Sequence, residues 1–172
     1  MGYIKVTSLS ESGQQRILWI AGPGNFVPIE QLFSTNGLSL FCYTALSDCE
    51  LYKVDKAKFI AFSKTKLDLM SEIAKRLSSH YDDLLIRVDS VGQSNVRSKL
   101  IYTLCNLAKR FSDQDIVDIY ALNLRLTQND FAEMIGCTRE TTSLELHKLL
   151  VEGGIVYDRN KFVIDLPRLQ AL

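Results

Sequence analysis

Apolar and polar positions alternate at the start of this chain. YIKVTSL, residues 3–9, has period two, and ESGQQ, residues 11–15, is turn-like. RILWI at 16–20 predicts a second strand, paired with the first as a hairpin. AGPGN at 21–25 is a turn, and Pro28 disfavours a central strand in FVPIEQLF at 26–33. STNG at 34–37 is another turn, and LSLFCYTAL at 38–46 and CELYKVD at 49–55 read as further strands. The region to about Asp55 therefore predicts antiparallel strands joined by tight turns, as in a small barrel or jelly roll.

Near Lys56 the pattern changes. KAKFIAFSK predicts a short helix, and from Leu67 to about Val91 the period is helical. Leu77, Tyr81, Leu84, Val88 and Val91 follow one another at spacings of four, three, four and three, with Ser, Asp, Lys and Arg on the other faces. That narrow stripe is a coiled-coil seam and predicts pairing with a second copy. The alternative, a helix packed only on its own β region, asks for a wider stripe.

Val91-Gly92-Gln93-Ser94 predicts a hinge. A second amphipathic helix follows, with Val96, Leu100, Ile101, Leu104, Leu107, Ala108 and Phe111 on one side and SDQD as its terminator. IVDIYALNLRL, residues 116–126, suits one or two short strands. Thr127 can cap a helix over residues 128–134, with Asp130 completing an approximate capping box. Gly136 ends it, and Thr138 caps the next helix, to about Val151. Two short helices across a glycine-containing turn make a helix-turn-helix, with Leu146, Leu149 and Leu150 holding the second one to the core. IVYDRNKFVI reads as a hairpin, or wing, with Asp158-Arg159-Asn160 at its tip, and residues 165–169 as a closing turn.

The formal net charge is zero over 172 residues, which argues against a basic nucleic-acid coat but leaves a small local reading surface open. No stretch is apolar enough to cross a membrane, and the N-terminus lacks the basic flank and apolar core of a signal peptide, so the default expectation is a cytoplasmic protein. Cys42, Cys49, Cys105 and Cys137 are dispersed, and only two histidines accompany them. The expectation is four reduced, mostly buried thiols and no metal or other cofactor. His80, beside the seam, and His147, in the second helix of the pair, are read as solvated or interface residues, with phosphate contact as the alternative for His147. Neither stands in a spacing that suggests catalysis.

The polar cluster Thr138-Arg139-Glu140-Thr141 begins the second helix of the helix-turn-helix. In such a unit that helix enters the major groove N-terminus first. Arg donates to O6 and N7 of guanine, Glu accepts from N4 of cytosine, and Thr hydroxyls suit phosphate oxygens. The blander reading is a solvated helix start with Glu favoured by the helix dipole.

The order of β region, long helix, hinge, helix, helix-turn-helix and wing resembles the Crp/Fnr family of bacterial transcription regulators. The specific part of the resemblance is Leu126 to Ser143, LTQNDFAEMIGCTRETTS. It implies an α+β chain with a partial antiparallel β-roll (a double-stranded β-helix) over 1–64, a long dimerisation helix over 65–92, and a winged helix-turn-helix over 93–172. It also implies a homodimer on palindromic double-stranded DNA that contacts RNA polymerase and is not an enzyme. Arg139 and Glu140 are the implied base readers, Thr127, Thr138 and Thr141 the phosphate contacts, and Lys161 a further phosphate contact in the wing.

Three departures qualify this. Leu144 stands where the family often has a second Arg, and Glu145 follows, so Thr142 or Ser143 is expected to share in base reading. The cyclic-nucleotide members hold phosphate and ribose with a Gly-Glu segment and an Arg-Ser pair. Here FVPIEQLF and Leu38-Ser39-Leu40-Phe41 stand in those places, and no Arg or Lys lies between Arg16 and Lys53. A buried cyclic phosphate wants a guanidinium, so the expectation is no cAMP or cGMP and an unknown effector. Finally, the family's roll has further strands ahead of GYIKV, which predicts open sheet edges. Two other readings use the same residues: a degenerate dimeric interaction protein that no longer reads DNA, favoured by Leu144 and Glu145, and a thiol-dependent redox protein, which needs a Cys of depressed pKa.

Overall fold

The computed structural model describes residues 2–11, 13–34, 41–116, 118–158 and 161–172, without the side chains of Glu30 and residues 113–116. Strands β1 (Ile4–Leu9) and β2 (Gln15–Ala21) form the expected antiparallel hairpin, with a register shift between Val6 and Thr7. Strand β3 (Cys42–Ala45) pairs antiparallel with β1, so the sheet order is β2-β1-β3. Val6, Ile17 and Ile20 are buried, as their period-two placement requires. Around Pro28 the chain makes a single 3-10 turn, Ile29–Gln31, rather than a strand. Of the expected STNG turn at 34–37, residues 35–37 lie outside the described residues, as does the segment Leu38-Ser39-Leu40.

CELYKVD is not a strand. Residues 48–55 carry no ladder pairing, and Leu51, Tyr52 and Val54 are exposed. Alternation alone does not make a strand: its N–H and C=O groups also need a partner strand, and no described strand pairs with residues 48–55.

Helix α1 (Lys56–Lys64) starts on Asp55, whose carboxylate accepts from Lys58 N at 2.9 Å. Helix α2 (Leu67–Gly92) is the long helix, and the break after it ends at Asn95, the cap of α3 (Val96–Phe111). The two helices are tied by Ser90 Oγ to Thr103 Oγ1 at 3.1 Å and by Arg110 to Asp83 at 3.0 Å.

SDQD does not simply terminate α3. Ser112–Ile116 is itself a strand, β4, antiparallel to β5 (Ile119–Leu122). An edge strand is held by its backbone, so it needs no apolar period to announce it. The connection carries Asp118 at φ 65°, a left-handed conformation for which Asp is among the better-suited residues. Helices α4 (Gln128–Ile135) and α5 (Arg139–Val151) come next, then β6 (Ile155–Asp158) and β7 (Lys161–Asp165), giving a second sheet of order β4-β5-β7-β6. The expected closing turn is a short helix, α6 (Leu166–Ala171). Asp165 caps it by accepting from Arg168 N, and Leu166 and Leu169 are buried beneath it.

One core joins the two ends of the chain. Ile17 and Ile20 of β2 cluster with Leu100, Leu104 and Leu107 of α3, Phe131 and Met134 of α4, Leu146 and Leu149 of α5, and Ile164 of β7. Polar contacts reinforce the junction. Lys5 Nζ of β1 donates to Asp130 Oδ1 of α4 at 2.8 Å, and Arg87 of α2 donates to the Met134 carbonyl at 2.7 Å. Burial, with Arg16 nearby, pushes Arg87 down to about 10.

Among the described residues no helix is long and apolar enough to cross a membrane. The cysteines are less buried than expected: Cys42 is exposed on the edge strand β3, and Cys49, Cys105 and Cys137 are half-buried. All four are free thiols. Burial pushes the Cys105 thiol up, away from an activated thiolate.

Candidate nucleic-acid interface

The helix-turn-helix is fixed by three local devices. Thr127 and Asp130 form a full capping box: the Asp130 N–H donates to Thr127 Oγ1 at 3.1 Å, and the Thr127 N–H donates to Asp130 Oδ2 at 2.9 Å. Gly136, at φ 67° and ψ 38°, supplies the left-handed residue that ends α4. Thr138 then caps α5, accepting from Thr141 N at 3.3 Å.

Behind α5, Leu146 and Leu149 are buried and Leu150 is half-buried against the core. Phe131 of α4 meets Phe162 of β7 edge-on at 5.1 Å, which braces the wing against the first helix. At the far end of α5, Glu152 takes two hydrogen bonds from Arg97 of α3. Helix α5 is thus held along its inner face and at its C-terminal end.

Its outer face presents the expected chemistry. Arg139, Glu140, Thr138 and Thr141 are exposed at the helix start, and Thr127 is exposed at the start of α4. Lys161 is exposed beside the wing tip, and Arg159 and Asn160 of that tip lie outside the described residues. Ser143 is half-buried.

Thr142 does not belong with the base readers. It has no exposed surface, and its hydroxyl donates to the Thr138 carbonyl at 2.8 Å. The signal was present in the sequence: Thr142, Leu146 and Leu149 follow a four-three spacing, so all three fall on the buried face. Glu145 is not an unpartnered carboxylate facing phosphate, since Lys148 lies 2.6 Å from its Oε1. His147 is exposed, as expected.

The seam residues also lie open. Tyr81 is 61% and Val88 70% exposed, Leu84 and Val91 are exposed to a lesser degree, and Leu77 is half-buried. His80 leaves that seam. Its ring meets that of Trp19 of β2 at a tilt of 59° with centroids 4.4 Å apart, so it packs on the chain's own sheet. Together they line a cavity of about 190 Å³ with Asn25, Phe26, Arg76 and Arg110. These arginines come from α2 and α3, far along the chain from the cation-free stretch between Arg16 and Lys53. Both are already engaged: Arg76 with Glu72 and the Gly24 carbonyl, Arg110 with Asp83.

The Crp-like helix-turn-helix domain family matches residues 98–172. The cAMP-activated global transcriptional regulator CRP of Pasteurella multocida is 24% identical over 163 residues, covering 95% of this chain and 77% of the relative. Its counterpart in Haemophilus influenzae is 21% identical, covering 95% and 71%. Among solved structures, FixK2 from Bradyrhizobium japonicum superposes with a TM-score of 0.78 at 15% identity, covering all of this chain and 83% of that one. The c-di-GMP responsive regulator CLP of Xanthomonas campestris gives 0.73 at 20% identity, covering 95% and 80%. Residues 98–172 thus form a Crp-like helix-turn-helix domain, and with its antiparallel N-terminal sheet and long central helix the chain is similar along most of its length to transcription regulators of the Crp/Fnr type.

Proposed function

We propose that the chain acts as a homodimer that reads an interrupted palindrome in double-stranded DNA, without control by cAMP or cGMP. The observation that carries this is the start of α5: Arg139, Glu140 and Thr141 reach solvent from a helix whose opposite face and C-terminal end are pinned to the core. In this reading Arg139 and Glu140 meet base edges, with Ser143 at the margin. Thr127, Thr138, Thr141 and Lys161 meet phosphates. Residues 1–64 form the effector-type region, 65–92 the dimerisation helix and 93–172 the DNA-binding part. The exposed stripe Tyr81, Leu84, Val88 and Val91, with Leu77, supports pairing through α2. RNA polymerase is the protein partner that the resemblance suggests. The chain works in the cytoplasm and not as an enzyme.

Independence from cyclic nucleotides is supported by the cavity beside Trp19 and His80. Its two guanidiniums already have carboxylate partners, whose negative charge opposes the approach of a cyclic phosphate. Titration calorimetry with cAMP is expected to give no heat of binding at micromolar concentrations; a saturable isotherm there defeats this part of the reading.

The reading as a whole is tested by selection from random duplex DNA at stated salt. One palindrome with half-sites a helical turn or a multiple apart is expected, bound less tightly as salt rises. Arg139→Ala is expected to relax the preference at one base pair per half-site, by about 1–3 kcal/mol of discrimination. A folded, dimeric protein that enriches nothing favours the interaction protein that no longer reads DNA.

A further inference from the structure

The solvent face of α5 carries one apolar residue in the same turn-and-a-half as its polar readers. Leu144 is 64% exposed. It follows Glu140 by four positions, so it lies on the same line of the helix, about 6 Å further along the axis. Its own core gives it no cover, while Thr142 and Leu146 on either side of it are fully turned inward. The Glu145 carboxylate beside it is held by Lys148. A single exposed leucine on a protein surface is ordinary. This one stands where the proposed reading puts base edges.

The base edges of the major groove offer a leucine one apolar group, the 5-methyl of thymine. We propose that Leu144 is a specificity-determining residue that packs against a thymine methyl, one or two base steps from the pair met by Glu140. This rests on the reading that α5 enters the major groove. The spacing follows from the 6 Å helical advance against the rise of about 3.4 Å per base pair. The sign of the preference follows from chemistry. Leucine has no donor for guanine O6 or N7 and no acceptor for cytosine N4, so a G·C pair at this position loses water and gains no partner. An A·T pair presents a methyl whose burial against leucine is favourable. The operator therefore carries thymine where an arginine at this place selects guanine.

The test uses the full chain and the duplex it enriches from random DNA. Each thymine of the half-site is replaced in turn by uracil, which lacks only the methyl. At one position the wild-type protein is expected to lose about fourfold in affinity when one half-site is altered and about fifteenfold when both are. Leu144→Ala should bind the thymine and uracil duplexes equally, and Leu144→Arg should select guanine in place of thymine on repeating the enrichment. Equal wild-type binding of thymine and uracil at every position, with the Arg139-dependent preference still present, overturns the role of Leu144 and leaves base reading by α5 standing. Failure to enrich any sequence from a folded dimer overturns both.

Discussion

Lys5→Met is expected to destabilise the folded chain by about 3–5 kcal/mol, the range for removing one partner of a buried ion pair. The reason is the asymmetry of the cluster that Lys5 serves. Its ammonium lies 2.8 Å from Asp130 and 3.6 Å from Glu133, and all three side chains are at most 15% exposed. Two carboxylates share one cation, and Glu133 Oε2 is buried without a hydrogen-bond partner. Removing the cation leaves two half-desolvated negative charges facing each other. Burial by itself pushes the Asp130 carboxyl up, but hydrogen bonds from Lys5 and from Thr127 outweigh it and hold it below the ordinary carboxylate value.

The pH signature gives the variant a second readout. In the wild type Asp130 is depressed, so its contribution is present above the unfolded value of about 4 and is lost as pH falls through the lower folded value. The raised Lys5 contributes below its unfolded value and loses that contribution only as pH rises through the higher folded one. Without Lys5, Asp130 loses its largest lowering hydrogen bond while burial still raises it, so its carboxyl moves up from the wild-type value and the folded variant takes up its proton at higher pH than the folded wild type does. The deficit of Lys5→Met relative to wild type should therefore shrink as pH falls from 7 towards 5. Glu133→Gln, which removes the cluster's second negative charge while keeping an oxygen to accept from Asn129, should change stability by less than about 1 kcal/mol. Urea unfolding at several pH values checks all three statements. A Lys5→Met protein as stable as wild type at pH 7 shows that the cluster is not an energetic link between β1 and α4.

Such a link is absent from any reading of sequence, since Lys5 and Asp130 stand 125 positions apart. What could be read was local. The capping box of Thr127 and Asp130, the left-handed Gly136 and the cap Thr138 each act within a few residues, so α4, its turn and α5 are legible as written. So is the hairpin of β1 and β2, whose alternation and turn are contiguous. The failures share a cause. CELYKVD has the alternation of a strand but pairs with no described strand, Ser112–Ile116 has a pairing partner but no alternation, and His80 meets a tryptophan from a distant strand. Thr142 is the different case. Its hydroxyl invites a binding role, while its phase with Leu146 and Leu149 puts it inside, and phase wins because a polar group whose hydrogen bond is met within the helix can be buried.

The same phase argument governs the largest functional effect expected. Leu84→Glu combined with Val88→Glu should leave α2 folded and the protein monomeric, with operator affinity reduced by about 10²–10⁴-fold. In the single chain Val88 is 70% and Leu84 38% exposed, so glutamate removes little burial at 88 and only part of one side chain's at 84, and helix content by circular dichroism should be unchanged. In a paired α2 the same positions meet their copies across the seam, and two glutamates per chain bring four like charges into a strip that apolar contact has to dehydrate. Loss of the dimer removes the second half-site from the binding event without touching Arg139 or Glu140. Binding to an isolated half-site should therefore equal that of the wild-type monomer, while the gain from the palindrome disappears. Sedimentation velocity and operator titration on the same samples separate the possibilities. A double variant that stays dimeric places the interface elsewhere than this stripe, and one that is monomeric yet binds the palindrome at wild-type affinity shows that α2 pairing is not what joins the two reading helices.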